Sequence, residues 1–215
     1  QSGKPTETDV NMTFYDVVSG KMKKNVIHTI NNRGVPDTIV VDPFITYRMV
    51  AHTIPPVYID SIKLSPGKHT IVAADAPQGY LFVKSNSLEY KDLKLIVRKT
   101  DEMPTLNIQN ADITEKYIVG KYDLEILTLP RLYIEDVDIK QSHTTTIQIP
   151  QPGIATLMYD GLGYGSLYVE RDNKMEWVCN LDNTATRQTL TLLPGSYRVV
   201  FRPKNVRSAI YSVDK

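Results

Sequence analysis

One cysteine, one tryptophan and four phenylalanines are all that this 215-residue chain holds of those types. With Cys179 alone, no internal disulfide can staple the fold, so packing and backbone hydrogen bonds must hold it. Trp177-Val178-Cys179 reads as alternating strand, and Cys179 there is a small buried apolar side chain and not a reactive thiol. No apolar run approaches the roughly 20 residues of a membrane-spanning helix. No long window free of Pro and Gly carries a 3.6-residue period, which argues against a helical fold. The formal net charge is only +1, so no overall field draws the chain to nucleic acid or to an anionic membrane. The start, Gln1 to Asp9, is polar and lacks the apolar centre of a signal peptide; residues 1–8 read as a linker.

Against these absences stand thirteen tyrosines and thirteen prolines, a balance that leans toward strands and turns. Three tyrosines head strand-like runs at Tyr47-Arg-Met-Val-Ala, Tyr122-Asp-Leu-Glu-Ile and Tyr197-Arg-Val-Val-Phe, each 75 residues from the next. At the same offset Pro55 matches Pro130, Tyr58-Ile59 matches Tyr133-Ile134, Thr70 matches Thr145 and Pro77 matches Pro152. Gly79 and Gly153, each after a Pro-Gln element, are 74 apart. Regular self-similarity of this kind marks a repeated supersecondary unit. Cutting at the glycines predicts three all-β units over residues 9–78, 79–152 and 153–215.

Each unit is expected to run through the same strands. The first is Val10–Tyr15, Tyr80–Lys84 or Ile154–Tyr159, and the second Asn25–Ile30, Leu93–Arg98 or Ser166–Glu170. A short strand at Asp37–Val41, Thr105–Gln109 or Gln188–Leu192 precedes the tyrosine strand. Units one and two continue with Val57–Leu64 or Leu132–Lys140 and close on Lys68–Ala73 or His143–Ile149. The third unit ends at Lys215 before that closing strand, so it is expected to lack its last strand. In Leu132–Ile139 the apolar alternation slips by one residue, which predicts a bulge at Glu135-Asp136. Turns fall at Ser65-Pro66-Gly67, Pro152-Gly153, Pro194-Gly195 and Asn31–Gly34. Short, evenly spaced strands with such turns predict tandem small antiparallel β-sandwiches. Leu193-Pro-Gly-Ser-Tyr197 has the form of a tyrosine corner, in which the phenol bonds a backbone group just upstream. Val119-Gly-Lys-Tyr122 keeps the glycine and Phe44-Ile-Thr-Tyr47 lacks it.

Gly153-Ile-Ala-Thr-Leu, Gly165-Ser-Leu-Tyr-Val and the run Thr189–Val200 make the third unit resemble a PEGA-type repeat, a small sandwich of the prealbumin or carboxypeptidase-regulatory kind. Unit two resembles it through Gly79-Tyr-Leu-Phe-Val and Gly120–Ile126. The family's apolar-Asp-Gly turn is replaced here by Arg171-Asp-Asn-Lys174. The whole chain also resembles the region that follows a von Willebrand factor A domain in cell-envelope proteins of Bacteroidota, through His28-Thr-Ile-Asn, Pro36-Asp-Thr, His52-Thr-Ile-Pro-Pro and Arg187–Leu192. That resemblance implies an exported, periplasmic or surface setting, an upstream domain in the same polypeptide, and a binding or spacer role.

Reactive chemistry has little footing. The four histidines, His28, His52, His69 and His143, each precede threonine and show no metal-ligand spacing. Glu135, Asp136 and Asp138 lack the glycine turn of a calcium loop. Asp160–Gly165 is glycine-rich, but neither a helix nor a Lys-Ser/Thr follows it to cradle phosphate. No Gly-x-Ser-x-Gly elbow is present. The expectation is therefore a non-enzyme with no cofactor and no metal, whose partner is a protein or a glycan. The contact loop is expected at Tyr159, Asp160, Gly161, Gly163 and Tyr164, read as a hairpin tip whose glycines expose the two tyrosines. The leading expectation is an envelope binding or spacer module. A carbohydrate-binding module with exposed tyrosines and an accessory domain of an upstream hydrolase are the rivals.

Overall fold

The computed structural model of the chain describes residues 9–204, and it is all-β. The expected linker at 1–8 and the question of the third unit's last strand, which falls on 205–215, lie outside the described residues.

The first sheet is built from β1 (Val10–Asp16), β2 (Met22–His28), β3 (Tyr47–Ala51) and β4 (Val57–Ile62), in the order β2-β1-β3-β4. Its pairs are antiparallel, with Phe14 opposite Lys24 on one side and Met49 on the other. Phe14, Tyr47, Met49 and Ile62 form its buried cluster, with the Phe14 and Tyr47 rings edge to face at 6.3 Å.

The next seven strands are β5 (Gln78–Lys84), β6 (Lys94–Lys99), β7 (Asn107–Asn110), β8 (Thr114–Ile118), β9 (Gly120–Ile126), β10 (Leu132–Ile139) and β11 (Thr144–Gln148). They make a four-stranded sheet, β10-β9-β6-β7, and a three-stranded one, β11-β5-β8. Alternation along β5, β6 and β9 leaves Leu81, Val83, Leu95, Val97, Leu124 and Ile126 almost without exposure.

The last five strands are β12 (Gly153–Met158), β13 (Gly163–Arg171), β14 (Lys174–Asn180), β15 (Arg187–Leu192) and β16 (Ser196–Pro203). A two-stranded sheet, β12-β15, accompanies a three-stranded one, β14-β13-β16. Leu167, Val169, Val178, Leu181 and Leu192 are the buried centre there, flanked by Ala155, Leu157, Leu190 and Phe201.

Contacts divide the chain into two compact units. One comprises Gln1–Leu81, Thr114–Tyr122 and Val137–Thr145, the other Phe82–Ile113, Asp123–Asp136 and Thr146–Lys215. The boundary runs through β5, β9, β10 and β11.

Two expected strands do not form. Lys68–Ala73 has no ladder partner, and Ile71 stands 87% exposed. Asp37–Val41 is irregular beyond one isolated bridge between Ile30 and Pro36, yet Ile39 and Val41 still pack against the first cluster. The alternation there reflects burial of two side chains without a paired backbone. Conversely, β8 and β14 are additions to the expected strand order.

The bulge in β10 is present. Asp136 sits at φ +56° and its N–H donates to Asp123 Oδ1 at 3.0 Å. Ser61, at the matching position of β4, sits at φ +59° where the β3–β4 register shifts. The tyrosine corners are present too. Tyr122 donates to Ile118 O at 2.7 Å and Tyr197 to Leu193 O at 2.6 Å, each four residues upstream. Tyr47, without the glycine, reaches one residue further, to Asp42 O at 3.1 Å. Burial pushes the Tyr122 phenol up to about 12.

Candidate functional site

The residues of the expected contact loop lie in different surroundings. Gly163 and Tyr164 belong to β13 and not to a hairpin tip. The Tyr159 ring stacks on Phe201 at 4.5 Å, 6° from parallel, within the surroundings of the C-terminal cluster. Burial raises its phenol pKa, and its buried hydroxyl has no hydrogen-bond partner among the described residues. Tyr159 is a core aromatic. Gly163 is glycine because β16 passes close by: a Cβ would fall on the Phe201 ring and the Arg202 carbonyl. Gly165 faces Leu181 and the Val200 carbonyl, each 2.8 Å from where a Cβ would stand. A Cβ on Gly161 would meet nothing within 4 Å, and Asp160 is exposed. Tyr164 is exposed at 59%, as the sequence reading expects of it.

The structure places Tyr164 on a surface that the sequence does not mark. On β13 the residues alternate, with Leu167 and Val169 buried and Tyr164, Ser166, Tyr168 and Glu170 on the other face. Neighbouring strands extend that outer face by register. Tyr164 pairs with Arg202, Ser166 with Val200 and Asn180, and Tyr168 with Arg198 and Trp177. Between Leu167 and Tyr168 the β13–β14 register slips, because Val178 is an extra residue on β14. The slip leaves Val178 buried and Cys179 against the core, and sets Trp177 outward beside Tyr168 at 59% exposure. At the far end, Asp172 and Asn173 at φ +49° and +60° make the two-residue turn that closes the β13–β14 hairpin.

Hydrogen bonds order this face. Asn180 Oδ1 accepts from Ser166 Oγ at 2.9 Å and from Trp177 Nε1 at 3.2 Å. Those bonds hold the indole and leave the Asn180 amide with its Nδ2 donors to offer. Lys204 Nζ donates to Asn183 O at 3.0 Å and lies 5.4 Å from the Tyr164 ring centroid. Arg198 is paired with Glu170 at 3.2 Å. None of the described residues pairs with Arg202 in an ion pair. Tyr164, Ser166, Tyr168, Asn180, Asn183 and Arg202 line an open depression of about 430 Å³. It offers aromatic faces, amide donors and a guanidinium.

Elsewhere the reactive groups are scattered or occupied. Burial raises the Cys179 pKa, which keeps the thiol protonated at neutral pH. His52 Nε2 is 2.7 Å from Thr13 Oγ1, and His143 Nδ1 is 2.7 Å from Gln141 O. Among the described residues no three His, Cys, Asp or Glu side chains gather as a metal site would require. None of the described helices is long and apolar enough to cross a membrane.

No family model matches the chain, and no curated protein does either.

Proposed function

We propose that the chain is a non-catalytic binding and spacer module that presents the outer face of β14-β13-β16 to a saccharide. One observation carries this reading: Trp177 and Tyr168 are cross-strand neighbours on an open sheet face, with the indole held by Asn180. Flat rings on a rigid sheet stack against the apolar faces of sugar rings at little entropic cost. The Asn180 amide and the Arg202 guanidinium supply directional donors for hydroxyl or carboxylate oxygens. The cell-envelope setting and an upstream von Willebrand factor A-like domain come from the sequence resemblance and belong to the same proposal. A spacer role is favoured by the tyrosine corners, proline turns and bulges at the 75-residue offset, because what recurs is turn and core chemistry.

Trp177 is the chain's single tryptophan and stands in the site, so its fluorescence reports occupancy without a label. Titration with xylan, cellulose and polygalacturonate oligosaccharides is expected to shift that emission for at least one of them. Tyr168→Ala is expected to weaken that binding by about 2 kcal/mol, roughly thirtyfold, as loss of an aromatic anchor does. Tyr58→Ala, at an exposed tyrosine on β4, is expected to leave binding unchanged. Emission that no oligosaccharide alters, or equal losses from both substitutions, would remove the saccharide face from consideration.

A further inference from the structure

Two residues, Ile118 and Leu193, are engaged from both sides in the same way. Ile118 N–H donates to Ile54 O at 2.7 Å, while its carbonyl accepts from Tyr122. Leu193 N–H donates to Leu129 O at 2.7 Å, while its carbonyl accepts from Tyr197. The accepting carbonyls belong to matching turns. In Thr53-Ile-Pro55 the threonine hydroxyl donates to Pro55 O at 2.6 Å, and in Thr128-Leu-Pro130 to Pro130 O at 2.8 Å. Both X-Pro bonds in these turns are cis. Every member of one set is 75 residues from its counterpart in the other. The second set is also packed: the Leu129 side chain lies against the cluster around Leu167 and Leu192.

We infer that the residue four before each of these corner tyrosines is the docking point by which one repeat receives the Thr-x-Pro turn of the repeat before it. The inference rests on reading the chain as 75-residue repeats, and it gives the tyrosine corner a second task. The phenol fixes the carbonyl of the connector residue, and this orients its N–H toward the neighbour's turn. The clasp has a direction, since a Thr-x-Pro turn supplies the acceptor and a corner supplies the donor. The first corner cannot take part as receiver. Its corresponding residue is Pro43, which has no N–H, and Tyr47 bonds Asp42 in its place. The partner this surface admits is therefore a sister repeat bearing Thr-x-Pro, and the first repeat does not receive one through this bond.

Amide hydrogen exchange on the full chain tests this with Thr53→Val and Thr128→Val, which remove a hydroxyl and keep the side-chain shape. Both amides, Ile118 and Leu193, are expected to be protected in the unaltered chain. Thr128→Val is expected to speed exchange at Leu193 roughly five- to tenfold, the worth of one hydrogen bond, and to leave Ile118 unchanged. Thr53→Val is expected to do the converse. No acceleration at the facing amide in either variant overturns the clasp. Equal acceleration at both amides in both variants overturns the repeat reading instead, because the chain would then open as one body.

Discussion

Gly79→Ala is expected to cost about 3 kcal/mol of stability, while Gly153→Ala, at the partner position in the sequence comparison, changes it by about 0.5 kcal/mol or less. A Cβ on Gly79 would land on the Lys140 carbonyl oxygen and lie 2.8 Å from Ile139 Cγ2. The strand cannot step aside to relieve this. Tyr80 N–H donates to His143 O at 2.8 Å, and Ser142 N–H donates to Gln78 O at 2.9 Å, so ladder bonds bracket the glycine on both sides. Around Gly153 nothing lies within 4 Å of the same atom. Paired thermal or urea denaturation of the two variants measures the contrast. Equal losses would mean that the close approach of the chain at Lys140 is not what requires glycine at position 79.

The second large effect is at Glu125, 5% exposed on β9. Its Oε2 accepts from Arg98 Nη2 at 2.8 Å and its Oε1 from Arg131 Nη1, so two guanidinium groups share one carboxylate. Burial by itself would raise the Glu125 pKa. The two arginine hydrogen bonds and their charges outweigh it and hold the group below the ordinary glutamate range. A carboxylate depressed in the folded state stabilises the fold above its unfolded pKa, and that contribution fades as pH falls through the folded one. Glu125→Gln is expected to cost about 2 kcal/mol at neutral pH, the range of hydrogen bonds to charged groups. The gap between variant and wild type is expected to close on acidification below the ordinary glutamate range. Melting temperatures of both proteins measured from neutral to acid pH check it, and a gap independent of pH would show that the carboxylate's charge contributes nothing.

Much of the fold was legible because its signals are local. A tyrosine corner needs only a turn and a phenol within a few residues, so Pro194-Gly195 before Tyr197 announced it. The bulge at Asp136 showed as a one-residue slip in an apolar alternation, and burial shifts by one residue there, where Asp136 takes φ +56°. Strand existence at 37–41 and 68–73 was not legible, because a strand requires a partner that sequence spacing does not supply. The site was legible only in part. Tyr159 and Tyr164 look alike in Tyr-Asp-Gly-Leu-Gly-Tyr, yet one stacks on Phe201 and the other faces out. Trp177 escaped notice as a site residue because its place beside Tyr168 depends on the extra residue at Val178, on a different strand.

That extra residue has a consequence for self-association. In the order β14-β13-β16, β14 is an edge strand, and an unbroken edge is a template on which another copy can add a strand. The irregularity at Val178 interrupts the repeat of donors and acceptors along it, and Lys174 and Glu176 charge its first half. An incoming strand in register with one half is out of register with the other. Two copies that meet at this edge therefore cannot extend one sheet across both without a break in the ladder.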